Sequence, residues 1–267
     1  MVRKPVVAGS FYPDGKSSLE RELHRIIPYV SKKKKVMGLI SPHAGYVYSG
    51  RCAGKGFGSI EIPEIIIILG VNHRGGGYPF AVDGNEQWNT PLGDILIDKE
   101  LADKLIEGSE VFQIDSSAGA MEHSIEVQVP FIQYRNPSAR ILPITIASVE
   151  LDRLLKGGKE IARLLEGKAE DALIVASTDM SHYISAESAR VKDHKAIDKI
   201  LAMDPEGLFE TVMLEQISMC GMGPTVMMLC AAIQLGAKTS EVIQYTHSGK
   251  ASGDYEQVVG YLSMVVY

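Results

Sequence analysis

Closely spaced cysteines are missing from this chain. The three that occur, Cys52, Cys220 and Cys230, are odd in number and show no Cys-x-x-Cys spacing. Neither a disulfide framework nor a zinc ribbon is expected, and a reducing cytoplasm is the natural setting. Long apolar runs are also lacking. No uninterrupted span approaches the ~20 residues of a membrane helix, and Met1 to Pro5 leads into no signal-like apolar core. Positive charge is not in excess: the net charge is -6 and the one dense basic run is Lys32 to Lys35, read as a solvated turn before a strand. That balance argues against a broad nucleic-acid surface. Asparagine is limited to Asn72, Asn85, Asn89 and Asn136, a depletion that heat-adapted proteins share. Familiar catalytic signatures are absent as well: no G-x-S-x-G elbow, no H-E-x-x-H and no Walker spacing. Gly221-Met222-Gly223 does not extend to G-x-G-x-x-G, because Val226 stands where the last glycine falls.

What is present suits one α/β domain over residues 1–267, whose 45% apolar content supplies a core without staples. Apolar runs in the first half of Val36 to Tyr46 and at Ile65 to Val71, Arg140 to Ala147 and Ala172 to Ser177 read as strands. Their continuous hydrophobicity fits burial on both faces. Asp94 to Ile97, Glu241 to Thr246 and Gln257 to Tyr267 read as further strands, and Trp88 to Leu92 as a loop. Helical spacing is expected over Ser17 to Val30, Lys99 to Gly108, Glu150 to Glu166, Ser188 to Ala202 and Pro205 to Glu215, and from Pro224 to Leu235. Such an order predicts helices on both faces of one sheet.

Three of the seven histidines, His43, His73 and His182, follow apolar runs read as strands. If those strands are parallel neighbours, the imidazoles converge at one sheet edge, where open α/β folds bind ligands. Imidazole is both a common metal ligand and the side chain best matched to proton transfer near neutrality. Asp179, three residues before His182, either orients that imidazole or caps a following helix. Cys220 precedes an expected helix N-terminus, where the backbone field favours the thiolate; Cys52 and Cys230 read as small buried hydrophobes. His123, between Glu122 and Glu126, fits a surface helix turn or a carboxylate-backed support for the site. His24, His194 and His247 read as structural or exposed.

The motifs A-G-S-F-Y-P, S-P-H-A-G-Y-V-Y-S-G, L-G-V-N-H, E-H-S-I-E-V-Q-V-P, S-T-D-M-S-H-Y and C-G-M-G-P occur in this order. On them the chain resembles the Memo family over essentially its full length. Memo proteins look like class III extradiol dioxygenases of the LigB type: three-layer α/β/α domains with a central, largely parallel or mixed sheet and a non-haem iron. Carried over residue by residue, the resemblance implies His43 and His73 as metal ligands with Cys220 as the third. It implies His182 as acid/base with Asp179 as its partner, and Tyr48 in the pocket lining; His123 is placed with Tyr48 as substrate-binding. The ring-cleaving enzymes are expected to have a carboxylate where Cys220 stands. A thiolate keeps the charge but is a softer donor, so Fe(II) is the expected metal and copper the alternative.

Eukaryotic Memo resembles a phosphopeptide-binding adaptor whose arginines follow the Asp-x-x-His motif. Here Ile184, Ser185 and Ala186 follow Tyr183, so that role is not carried over. Prokaryotic members are expected near a radical-SAM enzyme and an AMMECR-type protein, which implies a shared modification pathway. The leading expectation is a cytoplasmic, metal-binding, oxidoreductase-like enzyme acting on a small molecule or peptide. Its competitor is a non-catalytic module that binds a peptide or partner in the same cleft. Neither nucleic acid nor membrane is an expected partner.

Overall fold

The computed structural model describes residues 1–147 and 150–267. The Ile65–Val71 run shows how the architecture arises. Ile66 and Ile68 join a buried cluster with Leu19, Leu23, Phe57 and Phe131, while Ile67 and Leu69 join another with Leu154, Ile161, Val226 and Leu229. Side chains of a strand alternate between faces, so an unbroken apolar run must be covered twice. Helices Lys16–Ile26, Tyr46–Ser59 and Val129–Arg135 cover one face. Helices Leu151–Leu164, Ala186–Leu201, Pro205–Leu214 and Met222–Gln234 cover the other. The result is a three-layer α/β/α arrangement, as expected. Each isoleucine buried in this way contributes roughly 1.5–3 kcal/mol.

Among the described residues the central sheet has nine strands: β1 (Gly38–Ser41), β2 (Ile65–Val71), β3 (Phe80–Val82), β4 (Gln113–Ile114), β5 (Arg140–Ile146), β6 (Ala172–Ser177), β7 (His182–Ile184), β8 (Ser240–His247) and β9 (Val258–Val266). Their spatial order is β7-β9-β1-β6-β2-β5-β3-β4, with β8 also paired to β9. The middle four, β1, β6, β2 and β5, are mutually parallel; β9 is antiparallel to β1, and β3 to β5. Leu39 aligns with Val175 and Ile67 with Ile174. The carboxyl ends of β1, β6 and β2 therefore open side by side, which meets the condition for the histidines after them to converge.

Two local expectations change. Trp88 to Leu92 is not simply a loop: Gln87–Thr90 is a strand that pairs antiparallel with Gly93–Leu96 and parallel with Val2–Arg3. The strand is short; it is held by its hairpin partner, by Asp83 five residues away, and by two contacts distant in sequence. Trp88 Nε1 donates to Asp83 Oδ2 at 2.9 Å, the Arg3 guanidinium stacks 4.0 Å above the indole, and Thr90 Oγ1 donates to Gln133 Oε1 at 2.6 Å. Second, the apolar run that ends in Thr178-Asp179-Met180-Ser181-His182 stops at Ser177, and His182 begins the edge strand β7, paired with β9. His182 thus approaches the mouth from the side.

Candidate metal-binding cleft

At the end of β1, Pro42 turns the chain and His43 becomes buried. Its backbone N–H donates to Asp179 Oδ1 at 2.8 Å, and its Nδ1 lies 2.9 Å from Ser177 Oγ. Ser177 Oγ donates its only proton to the Ser124 carbonyl at 2.7 Å and accepts from Gln128 Nε2 at 2.8 Å. A hydroxyl has one proton to give, so it must accept from His43 Nδ1. The neutral ring then carries its lone pair on Nε2, one of the two imidazole nitrogens that ligate metals.

His73 is fixed in the same sense by a carboxylate. Glu122 Oε2 accepts from the His73 backbone N–H at 2.8 Å, and Oε1 lies 2.9 Å from His73 Nδ1. Burial alone would raise the Glu122 carboxyl. The hydrogen bonds from the His73 ring and from the amides of Ser124 and His73 outweigh it and hold the group at about 2. Glu122 reaches this position because its segment docks on β2: Ser124 Oγ accepts from Val71 N at 2.9 Å. Gly70 makes the docking possible, since a Cβ there would stand 2.2 Å from Ile125 Cγ1.

Docking also delivers His123. Its ring stacks on His73, with centroids 4.9 Å apart and planes 17° from parallel, and Phe11 backs it at 4.8 Å. One ring nitrogen from each of His43, His73 and His123 lies within 4.8 Å of the others, a group that can hold a metal ion. Burial pushes the pKa of His43 well down, helped by the neighbouring imidazoles, and lowers that of His123. Both rings are therefore neutral at pH 7 and free to ligate. His123, expected to bind substrate, lines the cleft, and its ring nitrogen also stands with those of the two expected ligands. Glu126, from the same motif, does different work. It pairs with Arg3, accepts from the amides of Val6 and Val7 and from the Tyr12 hydroxyl, and so anchors the segment that carries Phe11.

Cys220 lies outside that mutual group but touches one member: Sγ is 3.2 Å from His43 Nε2. It also accepts from the Asp179 amide at 3.3 Å. The helix-terminus field is not decisive for this thiol. Burial, then the charge of Asp179, push its pKa up, so the free cysteine stays protonated. Burial likewise pushes Asp179 up to about 7, against the opposing bond from the His43 amide. The Asp179 carboxylate bonds His43 and caps no helix. The ring of His182 finds another partner, with Nδ1 2.9 Å from the Ser218 carbonyl and the backbone N–H donating to Ser218 Oγ at 2.8 Å. A carbonyl only accepts, so His182 too carries Nδ1–H, and its neutral form has the lone pair on Nε2.

His43, His73, His123, Asp179 and His182 line a cleft of about 590 Å³. Phe11, Tyr48, Asp179, His182 and Tyr183 surround the three imidazoles, and no lysine or arginine is among the described lining residues. Tyr183 is exposed and holds φ at +57°, a left-handed conformation that costs on the order of 1–3 kcal/mol for a bulky residue. His24 and His194 lie outside the cleft; the latter bonds its own helix through Arg190 O. No described helix is long and apolar enough to cross a membrane.

Known proteins resemble this chain. The family model for Memo-like proteins matches residues 3–265. A MEMO1 family protein of Aquifex aeolicus is 41% identical over 266 residues, covering 99% of this chain and 98% of its own. One from Methanosarcina acetivorans is 38% identical over 267 residues, covering 99% of each chain. Among solved structures, an uncharacterized Escherichia coli K12 protein aligns with a TM-score of 0.50 at 13% identity, over 86% of this chain and 99% of its own. That likeness concerns the fold.

Proposed function

Because the chain belongs to the Memo family, we propose that its cleft is a metal-dependent active site of the non-haem iron type, acting on a small molecule or peptide. The observation that carries the reading is the shared tautomer. His43, His73 and His182 each commit Nδ1 to an acceptor, Ser177 Oγ, Glu122 Oε1 and Ser218 O, which leaves Nε2 as the lone-pair nitrogen on all three. Fe(II), or copper as the alternative, would be held by His43 and His73 and would supply Lewis-acid and redox chemistry when bound. Cys220, as the family pattern implies, and His123, by position, both stand within reach as further donors.

The remaining side chains do the binding and the proton work. His182 stands in the cleft lining with a free Nε2 and takes or returns a proton at the substrate. Asp179 is a positioning residue: its carboxylate fixes the backbone of His43, and its amide holds Cys220. Tyr48 and Phe11 wall the cleft and offer apolar faces to a ligand.

Metal analysis of protein purified anaerobically tests the reading. The expected result is stoichiometric iron or copper that His43→Ala removes, together with an oxygen-consuming turnover lost in His182→Ala. Protein without either metal, and unaffected by His43→Ala, would sink it. The competing reading is a non-catalytic module that uses the exposed Tyr48 and Tyr183 at the rim. It requires a retained peptide or partner and no turnover.

A further inference from the structure

Away from its imidazoles, the cleft is unbalanced in charge. Its lining includes the carboxylate of Asp254, while no lysine or arginine is among the described lining residues. Asp254 is exposed, and the loop that follows His247 holds it in place. Its Oδ1 accepts from the amides of Glu256 and Gln257 at 2.8 and 3.2 Å, and its own amide donates to Ser252 Oγ at 3.1 Å. Oδ2 is left over for a ligand. Lys250 in the same loop turns to an aromatic ring instead, with Nζ 5.9 Å from the centroid of Tyr255.

The rest of the wall is rich in aromatic faces. Phe11, Tyr48, Tyr183 and Tyr261 line the same cleft, and Tyr48 and Tyr183 stand exposed at its rim. A ring face attracts a cation through its quadrupole, and a carboxylate attracts it through its charge. Phosphate and carboxylate ligands are held by arginine or lysine, which this lining lacks. A metal at the imidazoles would be opposed locally by the Glu122 carboxylate behind His73, so it would not cancel the charge of Asp254.

We propose that the cleft selects an organic cation: a small molecule whose ammonium group is held by Asp254 and the aromatic rim while its other end faces the imidazoles. Anionic ligands, phosphorylated ones included, are disfavoured in the same cleft. This deepens the proposed function and rests on its reading of the cleft as a substrate site.

Calorimetric titration of the full chain tests the selection with three probes: choline, its neutral carbon isostere dimethylbutanol, and phenyl phosphate. Choline is expected to bind at least about threefold more tightly than its isostere, and phenyl phosphate more weakly than either. Asp254→Asn keeps the loop's Oδ1 acceptor but removes the charge. It should weaken choline by about threefold and leave the isostere unchanged. Tyr48→Leu should weaken choline by a similar factor, about two- to fivefold, and Tyr48→Phe, which keeps the ring face, should restore it. Equal affinity for choline and its isostere overturns the proposal, as does no detectable choline binding or a preference for phenyl phosphate. The metal reading is judged separately. Metal-free protein that still prefers choline upholds the cation selection while sinking the metal site, and iron or copper lost in His43→Ala upholds the metal site whichever probe binds.

Discussion

Ser177 is one residue on which much of the cleft depends. It takes the Nδ1 proton of His43 while giving its own to Ser124, so alanine there would release the ring to either tautomer. Ser177→Ala is expected to weaken metal binding by about 10–100-fold with all ligands in place, read by chelator competition; an unchanged affinity would show that the tautomer is set elsewhere. Asp179 and Glu122 make opposite predictions about pH. Burial raises Asp179 from 3.8 to about 7, so its contribution to stability is fully present below the unfolded value and fades as pH rises through about 7. Urea melts of metal-free protein should therefore lose stability between roughly pH 4 and 7, and Asp179→Asn should flatten that slope. Glu122, held at about 2, contributes fully above its unfolded value of 4.5 and loses that contribution progressively as pH falls from there through about 2. The acidic limb should shrink in Glu122→Gln.

The helix Tyr46–Ser59 has the least favourable composition for its state, with glycine at 50, 54, 56 and 58. Each glycine in a helix interior costs roughly 0.5–1 kcal/mol relative to alanine, and local propensity gives no reason for a helix. Packing gives one. A Cβ at Gly54 would stand 2.3 Å from the Ile26 carbonyl oxygen, and one at Gly56 would stand 2.1 Å from Ser263 Oγ. The helix lies so close to its neighbours that side chains are excluded. Gly54→Ala should thus lower stability by about 1–3 kcal/mol despite its better propensity, seen as a reduced melting temperature. An increase would mean that the neighbouring helix yields easily.

Across the whole molecule, Glu126 ties the N-terminal segment to the centre of the chain. It accepts from Arg3, Val6, Val7 and Tyr12, and that segment places Phe11 against His123. Glu126→Ala leaves the buried Arg3 charge without its partner and is expected to cost about 3–5 kcal/mol. Hydrogen exchange should speed up over residues 3–12, and the His123 side of the cleft should loosen with it. Unchanged exchange there would mean that the small sheet formed by Val2–Arg3 and Gln87–Thr90 holds the segment alone.

The alternation of apolar and turn residues is local, and through it the chain itself determined the four central strands, most of the helices that cover them, though not Tyr46–Ser59, and the mouths at which His43 and His73 stand. Only the tertiary structure decided what depends on residues far apart in sequence. Ser124 and Ser177 are 53 positions apart, yet their hydrogen bond sets the tautomer of His43. His123 reads from its neighbours as a residue near carboxylates; it joins the other imidazoles because Gly70 lets its segment settle onto β2. Gln87–Thr90 is held as a strand in part through Arg3 and Gln133. Periodicity reports which face of an element is buried, but the identity of what buries it is a property of the folded chain.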